Sequence, residues 1–307
     1  MKSKKRFYRT ISVISLFVMA AAILSLLYTF YLFRRSNSEY RSLSQSARMT
    51  AAERTAQEDP QGQQTETAQE GAGEEPTSAQ PEDEPESGGD KAETPAPGET
   101  GSPSEEPVLA QIPIDFDYLG TVNEDIMGWI EVEGTDIDYP ILYDATRNRY
   151  YLNHSYTKAY TPYGSVFVLS DNARDYSDFN TVVYGHNMLD GSMFAPLHRF
   201  EDEKFFAENH MIVVYTEDRV LCYRIFAAYM TDNLDLLKNY DYSTPEARQA
   251  YIDRIYTHET RALFDREVPV TPDDRILTLS TCIVNAAYRY LVQGVLVTEE
   301  AGVQTAR

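Results

Sequence analysis

The fold is decided by residues 275–297, which read RILTLSTCIVNAAYRYLVQGVLV. This stretch holds two runs of strand-like length, RILTLST and YRYLVQGVLV, that alternate or stay apolar. Similar runs recur upstream between turn-rich segments. They are WIEVEG (129–134), IDYPIL (137–142), SVFVL (165–169), NTVVYG (180–185), MIVVYT (211–216) and VLCYRIFAAYM (220–230). About eight strands separated in this way predict a mostly β protein, a barrel or a sandwich.

A few helices are predicted between the strands. Residues 116–127 predict one or two short helices before the first strand, and residues 190–197 predict another. A longer helix is predicted over 244–259 from apolar residues at helical spacing. Ser243 can cap this helix, and Glu246 lies at the capping-box position.

The first 35 residues are cationic and then strongly apolar. Five Lys and Arg residues within 1–9 precede an uncharged run at 10–33, whose last 23 residues are ISVISLFVMAAAILSLLYTFYLF. A helix of this length spans a bilayer core of about 30 Å, and the run exceeds the roughly 7–15 apolar residues of a signal peptide. We therefore expect a cytoplasmic tail (1–9), an uncleaved transmembrane anchor (10–33) and an extracellular remainder.

Residues 34–107 have the composition of a disordered linker. From Ala51 to Pro107 there are sixteen Asp and Glu residues against only Arg54 and Lys91. Such a segment buries too little apolar surface to offset its ordering entropy, so it acts as a tether or a plain spacer. The rest, 108–307, has the size of one domain. The net charge of −21 argues against nucleic acid as a partner.

The two cysteines occupy different positions in the pattern. Cys222 lies inside an alternating run, where a small apolar side chain fits a core face. Cys282 closes the strand RILTLST, and a side chain at a strand end is accessible on a rigid backbone, which suits a nucleophile. The pattern alone leaves two alternatives open for Cys282, a buried core position and a disulfide with Cys222.

Two other residues accompany Cys282 as candidates for chemistry. His186 directly follows the strand NTVVYG, so its imidazole lies at a strand end like the thiol. Alone, such a histidine is ordinarily a surface or capping residue. Arg289 lies in an apolar strand, where a guanidinium is costly unless an anionic group is near, although a solvent-facing arginine is common on alternating strands.

Several motifs, taken in order, resemble the sortase family and its class B in particular. They are TLSTC (278–282) with an arginine seven residues later, YGHNMLDGSMFAPL (184–197), GWIEVEGTDIDYPIL (128–142) and YYLNHSY (150–156). The helix predicted at 244–259 resembles a class B insertion. The resemblance covers residues 116–300. It implies an eight-stranded sortase-type β-barrel with N-terminal helices and this inserted helix.

The resemblance implies a cysteine transpeptidase on the surface of a Gram-positive cell. Cys282 would attack the carbonyl after Thr in a C-terminal sorting motif, of the NPxTN or (S/N)PxTG kind, of a secreted protein. An amine of the peptidoglycan precursor or cross-bridge would then resolve the thioester. His186 would transfer protons and Arg289 would bind the oxyanion or the peptide. Ser280 and Thr281 flank the nucleophile and are the substrate-binding candidates.

Other functions remain open at this point. A pilin-polymerising sortase or a hydrolase would use the same residues and differ in the acceptor. A non-catalytic, membrane-tethered barrel that binds peptides would have a buried or disulfide-bonded Cys282. The sequence contains no CxxC, no HExxH and no phosphate-binding glycine-rich loop, so we expect neither a metal nor a cofactor.

Overall fold

The structure is a computed structural model that describes residues 15–28, 31, 35, 37–48, 109–282 and 287–304. Its strands are β1 (Ala110–Ile112), β2 (Ile126–Val132), β3 (Asp138–Tyr143), β4 (Val166–Val168), β5 (Asn180–Gly185), β6 (Met211–Tyr215), β7 (Arg219–Asp232), β8 (Leu263–Phe264), β9 (Ile276–Cys282) and β10 (Tyr288–Gln304). Its labelled helices are α1 (37–48), α2 (Phe116–Val122), α3 (Glu203–Glu208), α4 (Leu236–Asn239) and α5 (Pro245–Ile255), with 3-10 helices at Tyr150–Leu152 and Ala195–Glu201.

Eight of the strands close a barrel in the order β10-β9-β5-β4-β3-β2-β6-β7, and β7 pairs with β10 to complete the ring. The short strands β1 and β8 pair with β10 and β7. Closure removes the free edges that an open sheet would expose. The predicted eight-stranded barrel is confirmed, and each of the eight predicted runs overlaps one of its strands. The two additional strands have three and two residues, too few for a recognisable alternation.

The strands bury apolar side chains on both of their faces. Inside the barrel, Ile130 and Leu279 are fully buried. A second apolar cluster lies beneath α5, where Ile252 and Ile255 pack with Leu291 of β10. The inserted helix therefore covers the outer face of the strands that lead to the end of β9.

Helix boundaries differ from the prediction for local reasons. The N-cap of α5 is Thr244, whose hydroxyl accepts from the backbone N–H of Ala247, and not Ser243. Pro245 favours the first helical position because it has no N–H to satisfy, so the cap falls directly before it. The helix predicted at 190–197 is a 3-10 helix at Ala195–Glu201. Positive φ at Gly191 and Met193 prevents an earlier start.

Residues 37–48, at the start of the linker predicted over 34–107, form helix α1 and pack on the barrel. Tyr40, Leu43 and Ala47 are buried, with exposed fractions of 2%, 4% and 0%. Their spacing of three and four places them on one helix face. Composition alone missed this helix because three apolar side chains suffice to dock it within a polar segment.

The remaining predictions for the N-terminal part are only partly covered by the structure. The predicted tail (1–9) and the rest of the linker (49–107) lie outside the described residues, as does much of the predicted anchor (10–33). Residues 15–28 of that anchor are helical. No helix within the described part of the chain is long and apolar enough to cross a membrane.

A buried polar network joins α5 to the strands behind the end of β9. The Gln293 amide donates to Tyr251 Oη at 2.9 Å and to Thr278 Oγ1 at 2.8 Å, and it accepts from Tyr229 Oη at 2.9 Å. Thr278 in turn donates to Asn180 Oδ1 at 2.7 Å. A buried network of this kind stabilises the fold as long as each member keeps its partners.

We expect Gln293→Ala to lower the free energy of unfolding by about 1–3 kcal/mol for each buried group left unpaired. Urea unfolding followed by tryptophan fluorescence measures this loss. Gln249→Ala is the matched control, because Gln249 on α5 bonds Asp253 at an exposed site. Its expected effect is within about 0.5 kcal/mol. Equal effects of the two substitutions would contradict a stabilising role for the network.

Candidate active site

Strand register brings three predicted residues to one end of the barrel. β10 runs antiparallel to β9 with Arg289 opposite Cys282. β5 runs parallel to β9 with Gly185 opposite Thr281. His186 and Cys282 each follow that last pair directly, so they lie side by side where the two parallel strands end. The thiol of Cys282 and residues 283–286 lie outside the described part of the chain.

A groove with a volume of about 280 Å³ opens at this end of the barrel, and both His186 and Arg289 line it. Its lining combines apolar side chains with a few polar and charged ones, the composition of a ligand site. The other lining residues are Arg149, Leu152, Phe167, Leu169, Tyr184, Gly185, Asn233, Leu234 and Asp235.

The imidazole of His186 is oriented by a backbone carbonyl. Its Nε2 lies 2.7 Å from the carbonyl oxygen of Leu152, in the 3-10 helix Tyr150–Leu152. A carbonyl only accepts, so Nε2 carries a proton and Nδ1 is the basic nitrogen of the neutral ring. Leu152 could not be predicted as a site residue, because it acts through its main-chain carbonyl and any residue type supplies the same acceptor.

Arg289 is held by the residue that follows β7. Its Nε donates to Asn233 Oδ1 at 2.8 Å. The backbone N–H of Asn233 donates to the carbonyl oxygen of Ala287, also at 2.8 Å. Asn233 thus fixes both the guanidinium and the chain that enters β10. No pattern indicated this residue, since asparagine after a strand is typical of any turn.

Tyr184 forms part of the groove wall next to His186. Its ring stacks on Phe167 with centroids 5.7 Å apart. Burial raises the pKa of Tyr184 above its ordinary value, Asp235 raises it further, and Arg289 opposes them. The phenol therefore stays protonated at neutral pH and is not a base. Tyr184 is the first residue of the quoted motif at 184–197, but the sequence analysis singled out only His186 there.

The two predicted substrate-binding residues lie on opposite faces of β9. Ser280 is opposite Tyr184 of β5, on the strand face that leads to the groove, although its side chain is buried. Thr281 is fully buried on the same strand face as Leu279, which packs in the barrel core. Among the described atoms, Thr281 Oγ1 has no hydrogen-bond partner. Strand alternation therefore brings only Ser280 towards the groove side, and substrate contact by either residue stays a prediction.

The register excludes a disulfide between the two cysteines of one chain. Cys222 is a free thiol on β7 and pairs with Thr298 of β10, whereas Cys282 pairs with Arg289 of the same strand. Nine residues of strand, 289 to 298, extend about 30 Å. Disulfide-bonded residues have Cα atoms within about 7 Å of each other. Burial also raises the pKa of the Cys222 thiol, which favours its unreactive form.

Comparison with known proteins agrees with this barrel. The family described as Sortase domain matches residues 130–297. Sortase B of Listeria monocytogenes is 36% identical over 186 residues, which cover 59% of this chain and 73% of that protein. Sortase B of Staphylococcus aureus is 31% identical over 167 residues, covering 54% of this chain and 67% of the relative.

Solved structures give the same result. The X-ray structure of Clostridium perfringens sortase B matches with a TM-score of 0.55 and 32% identity, over 60% of this chain and 100% of that one. A Staphylococcus aureus sortase B–substrate complex matches with a TM-score of 0.54 and 29% identity, over 60% and 85%. The chain belongs to the sortase family, whose known members are cysteine transpeptidases. Its subgroup within that family is class B.

Proposed function

We propose that this chain is a membrane-anchored transpeptidase that joins secreted proteins to the wall of a Gram-positive cell. It cleaves a C-terminal sorting motif, of the NPxTN or (S/N)PxTG type, after Thr and transfers the acyl group to a peptidoglycan amine. The observation that carries this proposal is the strand register, with Cys282 opposite Arg289 and beside His186. The substrate complex of the Staphylococcus aureus relative supports a peptide-binding role for the groove.

The proposed reaction is balanced by the three residues alone. The Cys282 thiolate attacks the Thr carbonyl carbon, a C–S bond forms, and the peptide C–N bond breaks. The His186 imidazolium gives its Nδ1 proton to the leaving amine and later takes one from the incoming amine. That amine attacks the thioester and releases the thiolate. Arg289 donates hydrogen bonds to the oxyanion formed in both steps.

Membrane anchoring is part of the same proposal. The helical residues 15–28 carry large apolar side chains that are exposed, among them Leu16, Phe17, Leu24 and Leu26. A contiguous apolar surface of this kind is typical of segments that contact lipid or another protein. With the basic residues of 1–9 before it, this segment supports a single anchor with the N-terminus in the cytoplasm.

Intact mass spectrometry tests the proposed activity. The full-length chain in detergent is incubated with peptides that carry each motif, and its mass is read before and after addition of a glycine-based amine. A peptide adduct that amine clears faster than water supports transpeptidation and identifies the motif. Clearance by water at the same rate would indicate a hydrolase. No adduct with any peptide, together with a Cys282 inert to iodoacetamide, would favour the non-catalytic peptide-binding barrel.

Asn233 offers a test of how Arg289 is positioned. We expect Asn233→Ala to lower kcat about tenfold, because the lost hydrogen bond to the guanidinium corresponds to about 1.5 kcal/mol. Steady-state kinetics with the peptide and amine measures the change. Asn209→Ala is the control, since the Asn209 amide bonds the Phe205 carbonyl outside the groove. An unchanged kcat for Asn233→Ala would argue against this positioning role.

A further inference from the structure

Helix α1 is fixed to the barrel through the side chain of Tyr40. The Tyr40 hydroxyl lies 2.8 Å from Ser165 Oγ and 3.1 Å from the carbonyl oxygen of Gly164. Its ring meets those of Tyr139 and Tyr156 edge-on, with centroids 5.6 and 5.0 Å apart. The side chain therefore contacts two separate parts of the barrel, the segment that ends at Ser165 and strand β3.

The contact of Tyr40 with Gly164 and Ser165 is connected to the Leu152 carbonyl, which orients His186. The backbone N–H of Ser165 donates to the Tyr151 carbonyl, and Ser165 Oγ donates to the His154 carbonyl, both at 2.9 Å. These bonds fix the chain on both sides of Leu152. Gly164 packs directly on it, since a Cβ at this position would collide with the Leu152 carbonyl oxygen.

The second contact leads to the loop that follows His186. The Tyr139 hydroxyl accepts from the backbone N–H of Met193 at 3.1 Å. Met193 forms an isolated β-bridge with Asn187, and the N–H of Phe194 donates to the His186 carbonyl at 2.9 Å. Residues 187–193 are thereby closed into a loop whose far end rests on Tyr139, the ring against which Tyr40 packs.

We infer that Tyr40 is a positioning residue for His186, and that α1 is a working part of the catalytic domain. Tyr40 supports both the Leu152 carbonyl, which holds the imidazole, and the loop that returns to His186. This role rests on the proposed function, because the orientation of the His186 ring affects the reaction only if His186 transfers protons. A barrel without α1 keeps the three strand-end residues but loses the support that orients one of them.

The contacts that hold α1 next to the acidic segment (51–107) come from residues outside that segment. The N–H of Asp115 donates to the carbonyl of Ala47 at 3.2 Å, so the chain leaves α1 and returns to the barrel at adjacent points. Arg48 ties the end of α1 to Asp138 at 2.7 Å and to Glu131 at 2.5 Å. We therefore expect the position of α1 on the barrel to be independent of the composition of the acidic segment. Replacing residues 56–106 with a Gly/Ser segment of equal length is expected to leave kcat within twofold.

The test uses the full-length chain in detergent with Tyr40→Phe and Tyr40→Ala, and Tyr156→Phe as the matched control. The Tyr156 hydroxyl also contacts α1, at the Glu39 carbonyl 3.4 Å away, whereas the Tyr40 hydroxyl contacts Gly164 and Ser165. We expect Tyr40→Ala to lower kcat about tenfold with KM within twofold, and Tyr40→Phe to lower it less. Tyr156→Phe should match the wild type.

A second readout separates this inference from the proposed activity. The ring nitrogen signals of His186, followed by NMR with labelled histidine and assigned through His186→Gln, report the hydrogen bond between Nε2 and the Leu152 carbonyl, and they should shift in Tyr40→Phe and not in Tyr156→Phe. This shift is measurable even if no peptide is processed. Folded Tyr40 variants with wild-type kcat and unchanged His186 ring signals would overturn the inference. If Tyr40→Ala does not fold, the kcat and the His186 NMR signals of Tyr40→Phe test the inference.

Discussion

Cys282→Ala is expected to abolish the acyl-enzyme and the amine product, whereas Cys222→Ala leaves both unchanged. The nucleophilic form of cysteine is the thiolate, and of the two cysteines only Cys282 has the neighbours that support one, with Arg289 opposite it and His186 beside it. Loss of a catalytic nucleophile lowers turnover by about 10⁴-fold or more. Intact mass after incubation with peptide, followed by quantification of the amine product, measures both steps.

The two substitutions form a matched pair because they remove the same atom from the same barrel. Cys222 pairs with the far part of β10, and its half-buried thiol has a raised pKa. A peptide adduct that persists in Cys282→Ala, or that maps to Cys222, would contradict the proposed assignment. Loss of the adduct in both variants would point to a folding defect, which a thermal unfolding scan identifies.

The barrel and the strand-end residues could be predicted because they depend on patterns that are visible in the order of residues along the chain. Alternating or continuously apolar runs marked all eight barrel strands. Cys282 and His186 stood out because each lies at the end of a strand, and parallel pairing of two such strands places their ends together. Arg289 was conspicuous as a charge in an apolar run. The resemblance to sortases then ordered these separate observations into one site.

The support around the site could not be predicted, because it consists of contacts with no local signature. Leu152 acts through its carbonyl, which every residue has. Asn233 acts through its position at the end of a fourteen-residue strand. Tyr40 is separated from its barrel contacts by the acidic segment, and composition assigned its surroundings to a linker. In each case the determining fact is a long-range pairing.

The site is thus built at two levels of rigidity. Backbone pairing in the closed barrel fixes the main-chain positions of Cys282, His186 and Arg289. No single side chain determines that pairing. Their orientation depends on individual contacts, the Leu152 carbonyl for His186 and the Asn233 amide for Arg289. Precise sites need both levels, because a correctly placed residue with a loose side chain gives little rate enhancement. Substitutions at the second level should therefore lower kcat without unfolding the barrel.

Arg289→Lys is expected to lower kcat about 10²–10³-fold, the usual cost of losing one oxyanion donor. Lysine keeps the positive charge but has no planar array of donors, and it cannot reproduce the Nε bond to Asn233. Arg219→Lys is the control, since Arg219 on β7 pairs with Glu299 near the far end of β10, and its effect should stay within twofold.

The kinetic constants show which role Arg289 has. A lower kcat with an unchanged KM means that the guanidinium acts in the transition state, as expected of an oxyanion donor. A higher KM with an unchanged kcat would mean that it only binds the peptide. If Arg289→Lys kept both wild-type constants, a positive charge opposite Cys282 would be sufficient, and the hydrogen-bonded geometry around Asn233 would have no part in the reaction.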